Sequence, residues 1–279
     1  MLKSDIQIQQ RDQVNAARGL AMKHTIIDVT PENVGEYGML CHQSKKKEDG
    51  YQSKLKWFTE RYHEGLRLKL LQVEEKGRMA SRGFIEYVPG EYAWRAVYAP
   101  EYLVIHCLWV IGKAKGHGYG TELLRDCVGH ARSTGRAGVV AVTSTRPWLV
   151  NRKMLTNNGF EIVDTAPPSF ELAVSKVKNV PNPSFPTDWD DRQKRYGSGL
   201  TVVYADQCPY NSKGVENLLE TARKEGIGAK AVRLVTAREV QDYAPSAYGV
   251  LNVVYDGVLL SYSFISGREL LERIRDTKK

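Results

Sequence analysis

No apolar run in this chain approaches the ~20 residues that a membrane span needs, so no membrane association is expected. The first residues, MLKSDIQIQQRDQ, have no apolar core, and no secretory signal is expected there. Cysteine is scarce and scattered. Cys41, Cys107, Cys127 and Cys208 are spread over 279 residues without a CxxC pair. Neither a zinc site nor a disulfide framework is indicated, no metal is expected, and a reducing, cytoplasmic location is the default. The chain also lacks a Gly-Lys-Ser/Thr triplet after its glycine-rich stretch, which removes the P-loop reading. No basic patch is interleaved with aromatics, so the net charge of +8 is assigned to a basic protein with a polyanionic ligand rather than to nucleic-acid binding. The triplet Lys45-Lys46-Lys47 reads as a solvated loop.

What the chain does have is one organising stretch, Tyr102 to Arg125. YLVIHCLWV reads as a buried strand, because it is apolar and rich in β-branched residues. IGKAKGHGYG follows with Gly112, Gly116, Gly118 and Gly120, and then TELLR opens a helix that runs on through Cys127 and Ala131. Such a loop presents bare backbone N–H groups at the positive end of a helix dipole, a setting suited to phosphates. Lys113 and Lys115 add charge. A dinucleotide fingerprint fits poorly, since the third glycine is missing. A phosphate-binding loop and a plain structural turn both stay open on these residues alone.

The length suits one large or two ordinary domains, and 42% apolar content is enough for a core. Residues 1–21 read as a loose polar extension. HTIIDV is a first strand, and Thr30-Pro31 caps a helix with proline in its first turn. A second helix follows Gly50 and ends near Gly65. Leu66–Glu75 and Met79–Val88 read as strands joined at Glu75-Lys76-Gly77, and Tyr92–Tyr98 as another strand. Gly138–Ser144 is a buried strand, Asn151–Asn158 a short helix, and Phe160–Val163 and Phe170–Val174 complete the sheet. Residues 179–199, with Pro181, Pro183 and Pro186, read as a linker, with Trp189 and Tyr196 able to dock on a neighbour. Residues 200–279 read as a smaller βαβαββα unit, with Asp256-Gly257 the strongest hairpin signal in the chain.

Lys115, Gly118, Gly120, Leu123 and Leu124 fall in register with motif A of the GNAT superfamily, the Gcn5-related N-acetyltransferases, which this stretch resembles. Lys115 stands where Arg or Gln is usual. Asn151–Val163, closing on Gly159-Phe160, resembles motif B. The resemblance covers about Thr25 to Lys178 and implies a GNAT domain over 22–178. The implied fold is α/β in the broad sense, a mixed, largely antiparallel sheet flanked by helices.

It also implies acetyl-CoA as cosubstrate. The diphosphate would lie on the amides of Lys115, Gly116, His117, Gly118, Tyr119, Gly120 and Thr121. The pantetheine arm would pair with Leu108, Trp109 and Val110, with a free amide near Val110 for the oxyanion. The acceptor would be a primary amine of a small molecule or protein.

Cys208-Pro209 after the first strand of the last unit resembles the thioredoxin/glutaredoxin fold, although Asn211 stands at the second redox cysteine and Gly249 where a cis-proline is usual. GNAT followed by such a unit resembles the YoaP-type acetyltransferases.

Glu86 is the first candidate for the base that deprotonates the amine, and His106 is the second because its ordinary pKa suits proton transfer. Each has a plain alternative, an exposed strand glutamate and a packed core histidine. The general acid stays open: Leu155 occupies the usual tyrosine position, Tyr119 or Tyr87 could replace it, and a thiolate can leave unaided. Cys208 at a helix N-terminus is expected to have a lowered pKa. That keeps a second function open, a monothiol redox or adaptor protein with a degenerate GNAT domain. The acceptor's identity is not legible, and a homodimer is left open.

Overall fold

A computed structural model describes residues 23–145 and 148–277. The expected extension, 1–21, lies outside the described residues. In chain order the elements begin with β1 (His24–Val29), α1 (Val34–Tyr37), α2 (Asp49–Tyr62), β2 (Arg67–Glu75) and β3 (Arg78–Pro89). Next come β4 (Tyr102–Val110), α3 (Tyr119–Ser133), β5 (Gly138–Ser144), α4 (Arg152–Thr156), β6 (Glu161–Ala166) and β7 (Phe170–Lys176). The last part contains α5 (Trp189–Lys194), β8 (Leu200–Tyr204), α6 (Asn211–Lys224), β9 (Ala229–Arg233), α7 (Ala237–Tyr243), β10 (Leu251–Tyr255), β11 (Val258–Ser261) and α8 (Gly267–Thr277).

Seven strands form one sheet in the order β1-β2-β3-β4-β5-β7-β6. Every neighbouring pair is antiparallel except β4–β5. That exception creates the site. β4 pairs with β5 only from Tyr102↔Gly138 to Ile105↔Ala141, although β4 runs on to Val110 and β5 to Ser144. Beyond those pairs the two strands part, because β4 stays with β3 as far as Val110 and β5 stays with β7 as far as Ser144. A wedge opens in the middle of the sheet.

The sheet's two faces bury different partners. On one, Leu123, Leu124 and Cys127 of α3 pack against Ile85, Ile105 and Ala141. On the other, Phe58 of α2, Leu70, Phe84 and Val104 join an apolar cluster that continues without a break into Val202, Val215 and Val253. Val202 and Val253 belong to a second sheet, ordered β11-β10-β8-β9, with β8–β9 parallel and the rest antiparallel, and Val215 to α6 packed beside it.

Two expected elements differ. Tyr92–Tyr98 is not a strand: a 3₁₀ turn covers Gly90–Tyr92, and residues 93–97 form an irregular, buried segment that ends at the exposed Tyr98. Its backbone groups find partners outside any ladder. The Trp94 N–H donates to His106, the Ala93 carbonyl accepts from Gln241, and the Tyr98 N–H donates to the Ser184 carbonyl. Pro31 lies in a turn, not in the first turn of a helix, and α1 starts at Val34. Asn33, rather than Thr30, stands at the N-cap, and its side chain accepts the Thr30 N–H at 2.8 Å instead of capping the helix. The hairpin at Asp256-Gly257 forms as expected, with φ of 48° and 75°, the paired positive values that a two-residue turn of this kind needs.

The stretch from 179 to 199 is docked. Trp189 is buried, the Phe185 N–H donates to Asp164, and Arg192 joins Asp188 to the Gln241 carbonyl. Both aromatics named from the sequence, Trp189 and Tyr196, pack into the common apolar cluster.

Candidate active site

The wedge between β4 and β5 faces the glycine-rich loop. After Val110 the chain makes a 3₁₀ turn at Gly112–Ala114 and enters α3 through Gly118, which holds φ of 84° and caps the helix without any side chain. That left-handed value favours glycine, and a Cβ there would point into open space. The amides of Gly116, His117, Gly118, Gly120 and Thr121 meet no backbone or side-chain acceptor among the described residues outside the helix's own turns. Gly120 and Thr121 are in the first turn, where helical geometry offers no acceptor. Lys115 stands with its ammonium 5.8 Å from the centre of the Trp109 ring. The wedge and the loop thus bring together all the residues expected to hold a cofactor, Leu108 to Val110 and Lys115 to Thr121.

On the opposite side of β3 and β4 from α3 lies a cavity of about 380 Å³. Glu86, His106, Cys107 and Trp109 line it from the larger sheet, Arg95 from the irregular segment after Tyr92, Cys41 and Lys54 from the α1–α2 region, and Gln207, Cys208, Tyr210 and Tyr248 from the last unit. Trp109, Trp148 and Tyr210 stand partly exposed at its rim. The two tryptophan rings are nearly parallel, 13° apart, with centroids 6.4 Å apart.

Glu86 is buried to 1% exposure, not on an open strand face. Its Oε2 accepts from Lys54 Nζ at 2.5 Å, its Oε1 from Gln207 Nε2 at 2.7 Å, and His106 Nδ1 faces Oε1 at 3.4 Å. Burial alone pushes this carboxyl up. Lys54 and His106 outweigh it, and the pKa falls to about 2. His106 Nε2 accepts the Trp94 N–H at 2.9 Å, which places the ring proton on Nδ1. Burial, with the Arg95 and Lys54 charges, lowers its pKa to about 4 against the pull of Glu86, so the ring is neutral near pH 7. The packed-histidine alternative describes the geometry of His106. Leu155 is fully buried and far from being a proton donor, and burial pushes the Tyr87 hydroxyl well above its ordinary value.

The expectation of an acidic thiol at Cys208 is corrected. Its pKa is raised, because desolvation outweighs the Tyr210 backbone hydrogen bond and the Lys54 charge. α6 begins at Asn211, and the Asn211 side chain donates to the carbonyls of Ala205 and Val250, so the position of a second redox cysteine is filled by a structural amide. Sequence reasoning missed Lys54, Arg95, Gln207 and Tyr248. Each is an ordinary residue on its own element, and only the fold places them on one cavity. Lys54 alone left a signal, a lysine on the apolar side of α2 among Tyr51, Trp57 and Phe58.

Residues 34–160 match the model of the Acetyltransferase (GNAT) family. Residues 34–160 therefore carry a GNAT acetyltransferase domain. Over 244 residues it is 28% identical to the uncharacterized N-acetyltransferase YoaP of Bacillus subtilis, covering 86% of this chain and 94% of that protein. Among solved structures it is similar to the GNAT family N-acetyltransferase YhbS of Escherichia coli in complex with CoA (15% identity, 60% of this chain and 92% of that one, TM-score 0.38). It is also similar to an aminoglycoside 6′-acetyltransferase type Ii (16%, 56% and 99%, TM-score 0.40).

Proposed function

We propose that the protein transfers an acetyl group from acetyl-CoA to a primary amine held in the 380 Å³ cavity. The observation that carries this reading is the parting of β4 from β5 directly above an uncapped, glycine-led helix N-terminus. The amides of residues 116–121 hold the diphosphate, where the α3 dipole and the Lys115 ammonium favour negative charge, the Lys115 amide itself donating to Gly112. Leu108 to Val110 offer the unpaired strand edge to the pantetheine arm. An amide near Val110 receives the oxyanion as the amine nitrogen bonds to the thioester carbon. The C–S bond then breaks, CoA leaves as the thiolate, and the proton from nitrogen passes to solvent.

Glu86 is assigned a positioning role. A carboxyl with a pKa near 2 that already accepts from Lys54 and Gln207 is a weak proton acceptor. His106, with Nε2 engaged, has no free lone pair to offer. Both fix the cavity floor and the alignment of β4. The second unit, 200–279, is read as thioredoxin-like from its strand order, and its Cys208 loop is read as a wall of the acceptor pocket rather than a redox centre. Four unbridged cysteines support a reducing, cytoplasmic setting.

Calorimetric titration with acetyl-CoA tests the assignment. Binding is expected, and Gly118→Val should weaken it at least tenfold while the thermal midpoint shows the chain still folded. Undiminished binding in that variant removes the loop from the role.

A further inference from the structure

The charges lining the cavity do not balance. Lys54 and Glu86 neutralise one another at 2.5 Å, and His106 is neutral. Arg95 remains. It is buried to 1% exposure, and among the described residues no carboxylate reaches it within ion-pair distance. Its guanidinium is held by main-chain carbonyls: Nη1 donates to Trp94 at 2.9 Å and Tyr248 at 3.1 Å, and Nη2 donates to His106. The Tyr248 ring lies 4.9 Å from its central carbon. A guanidinium has five N–H donors. Three are used, and Nε–H meets no acceptor. What is left is Nε–H and one hydrogen of Nη2, donors of the kind that pair with a carboxylate.

A buried cation without an anion is costly, so a chain that keeps one rigidly fixed beside a cavity has a use for its charge. Gln207 is engaged by Glu86, and the wall is otherwise aromatic, apolar or sulfur-bearing, with Met39, Leu68, Phe84, Cys41, Tyr210 and Tyr248. It adds no further charge.

We propose that Arg95 is the carboxylate-recognition residue of this cavity, and that the amine acceptor is a small amino acid-type molecule with one free carboxylate and an uncharged body. The inference rests on the acetyltransferase reading only for the word acceptor. Recognition of the carboxylate needs no cofactor.

The test uses the full chain and matched pairs: amino acids with uncharged side chains, short ω-amino acids, and the decarboxylated amine of each. Calorimetry without acetyl-CoA measures binding, and acetyl-CoA consumption measures transfer. At least one carboxylate-bearing amine is expected to bind ten times or more tightly than its decarboxylated partner. Arg95→Met should erase that preference, and Arg95→Lys should keep part of it. Equal binding within every pair in the unaltered protein overturns the proposal without any variant, as does a preference that survives Arg95→Met. A carboxylate preference in binding with no acetyl transfer would uphold Arg95 and refute the transferase. Transfer to amines with no carboxylate preference would do the reverse.

Discussion

Glu86 shows how one buried charge is made tolerable. Lys54 satisfies one oxygen, Gln207 satisfies the other, and the two donors come from opposite ends of the chain. Breaking such a pair leaves a lone buried ammonium, so Glu86→Ala should cost about 3–5 kcal/mol of stability, read by denaturant unfolding. The acid limb of stability follows from the same groups. The carboxyl of Glu86 is depressed from 4.5 to about 2, so between those values the unfolded chain takes up a proton that the folded chain refuses. His106, depressed from 6.5 to about 4, adds a loss of the same sign at higher pH. Stability should be full above about pH 6.5 and fall as the pH drops toward 2. A thermal midpoint measured across pH checks this, and His106→Gln should flatten only the upper part. Cys208 gives a third residue-scale outcome. Burial raises its pKa, so iodoacetamide should modify it more slowly at pH 7 than a free thiol. Rapid alkylation would revive the monothiol reading.

Among the elements, the loop into α3 and the β10–β11 hairpin were the most legible. In both, the local chemistry leaves few choices. Gly118 adopts a positive φ at an uncapped helix start, and Asp256-Gly257 adopts two in succession. Gly257→Val should cost about 1–2 kcal/mol, the usual penalty for a Cβ in that region, seen as a lower thermal midpoint with acetyl-CoA affinity unchanged. Tyr92–Tyr98 misled because its apolar, aromatic composition is that of a strand. Its role is instead to pass beneath His106 with its backbone satisfied by side chains from elsewhere. No local pattern announces a segment that is fastened mainly by hydrogen bonds to distant residues.

At the scale of the molecule, the two sheets share one apolar cluster, and the cavity is walled by both. Gln207 to Glu86, Tyr262 to Ser144 and Arg95 to the Tyr248 carbonyl bind the halves together. Heating should therefore give a single cooperative transition in calorimetry. Residues 1–178 expressed alone should expose the face around Trp94 and be insoluble or molten. Two resolved transitions, or a well-folded fragment, would show instead that the halves are independent.

The sequence by itself determined the strand–loop–helix at 102–125, because it depends on residues close in the chain: an apolar strand, glycines at fixed spacing, a helix start; the largely antiparallel sheet was implied by the resemblance that this motif carries. Tertiary structure alone decided the cavity. Lys54, Glu86, Arg95, His106 and Gln207 come from distant parts of the chain, 121 positions apart in the Glu86–Gln207 hydrogen bond, and the protonation of Glu86 and His106 is set by burial and by their neighbours. A carboxylate on a strand reads as a base until its neighbours are known. Here they hold it charged, and leave an arginine unpaired beside it.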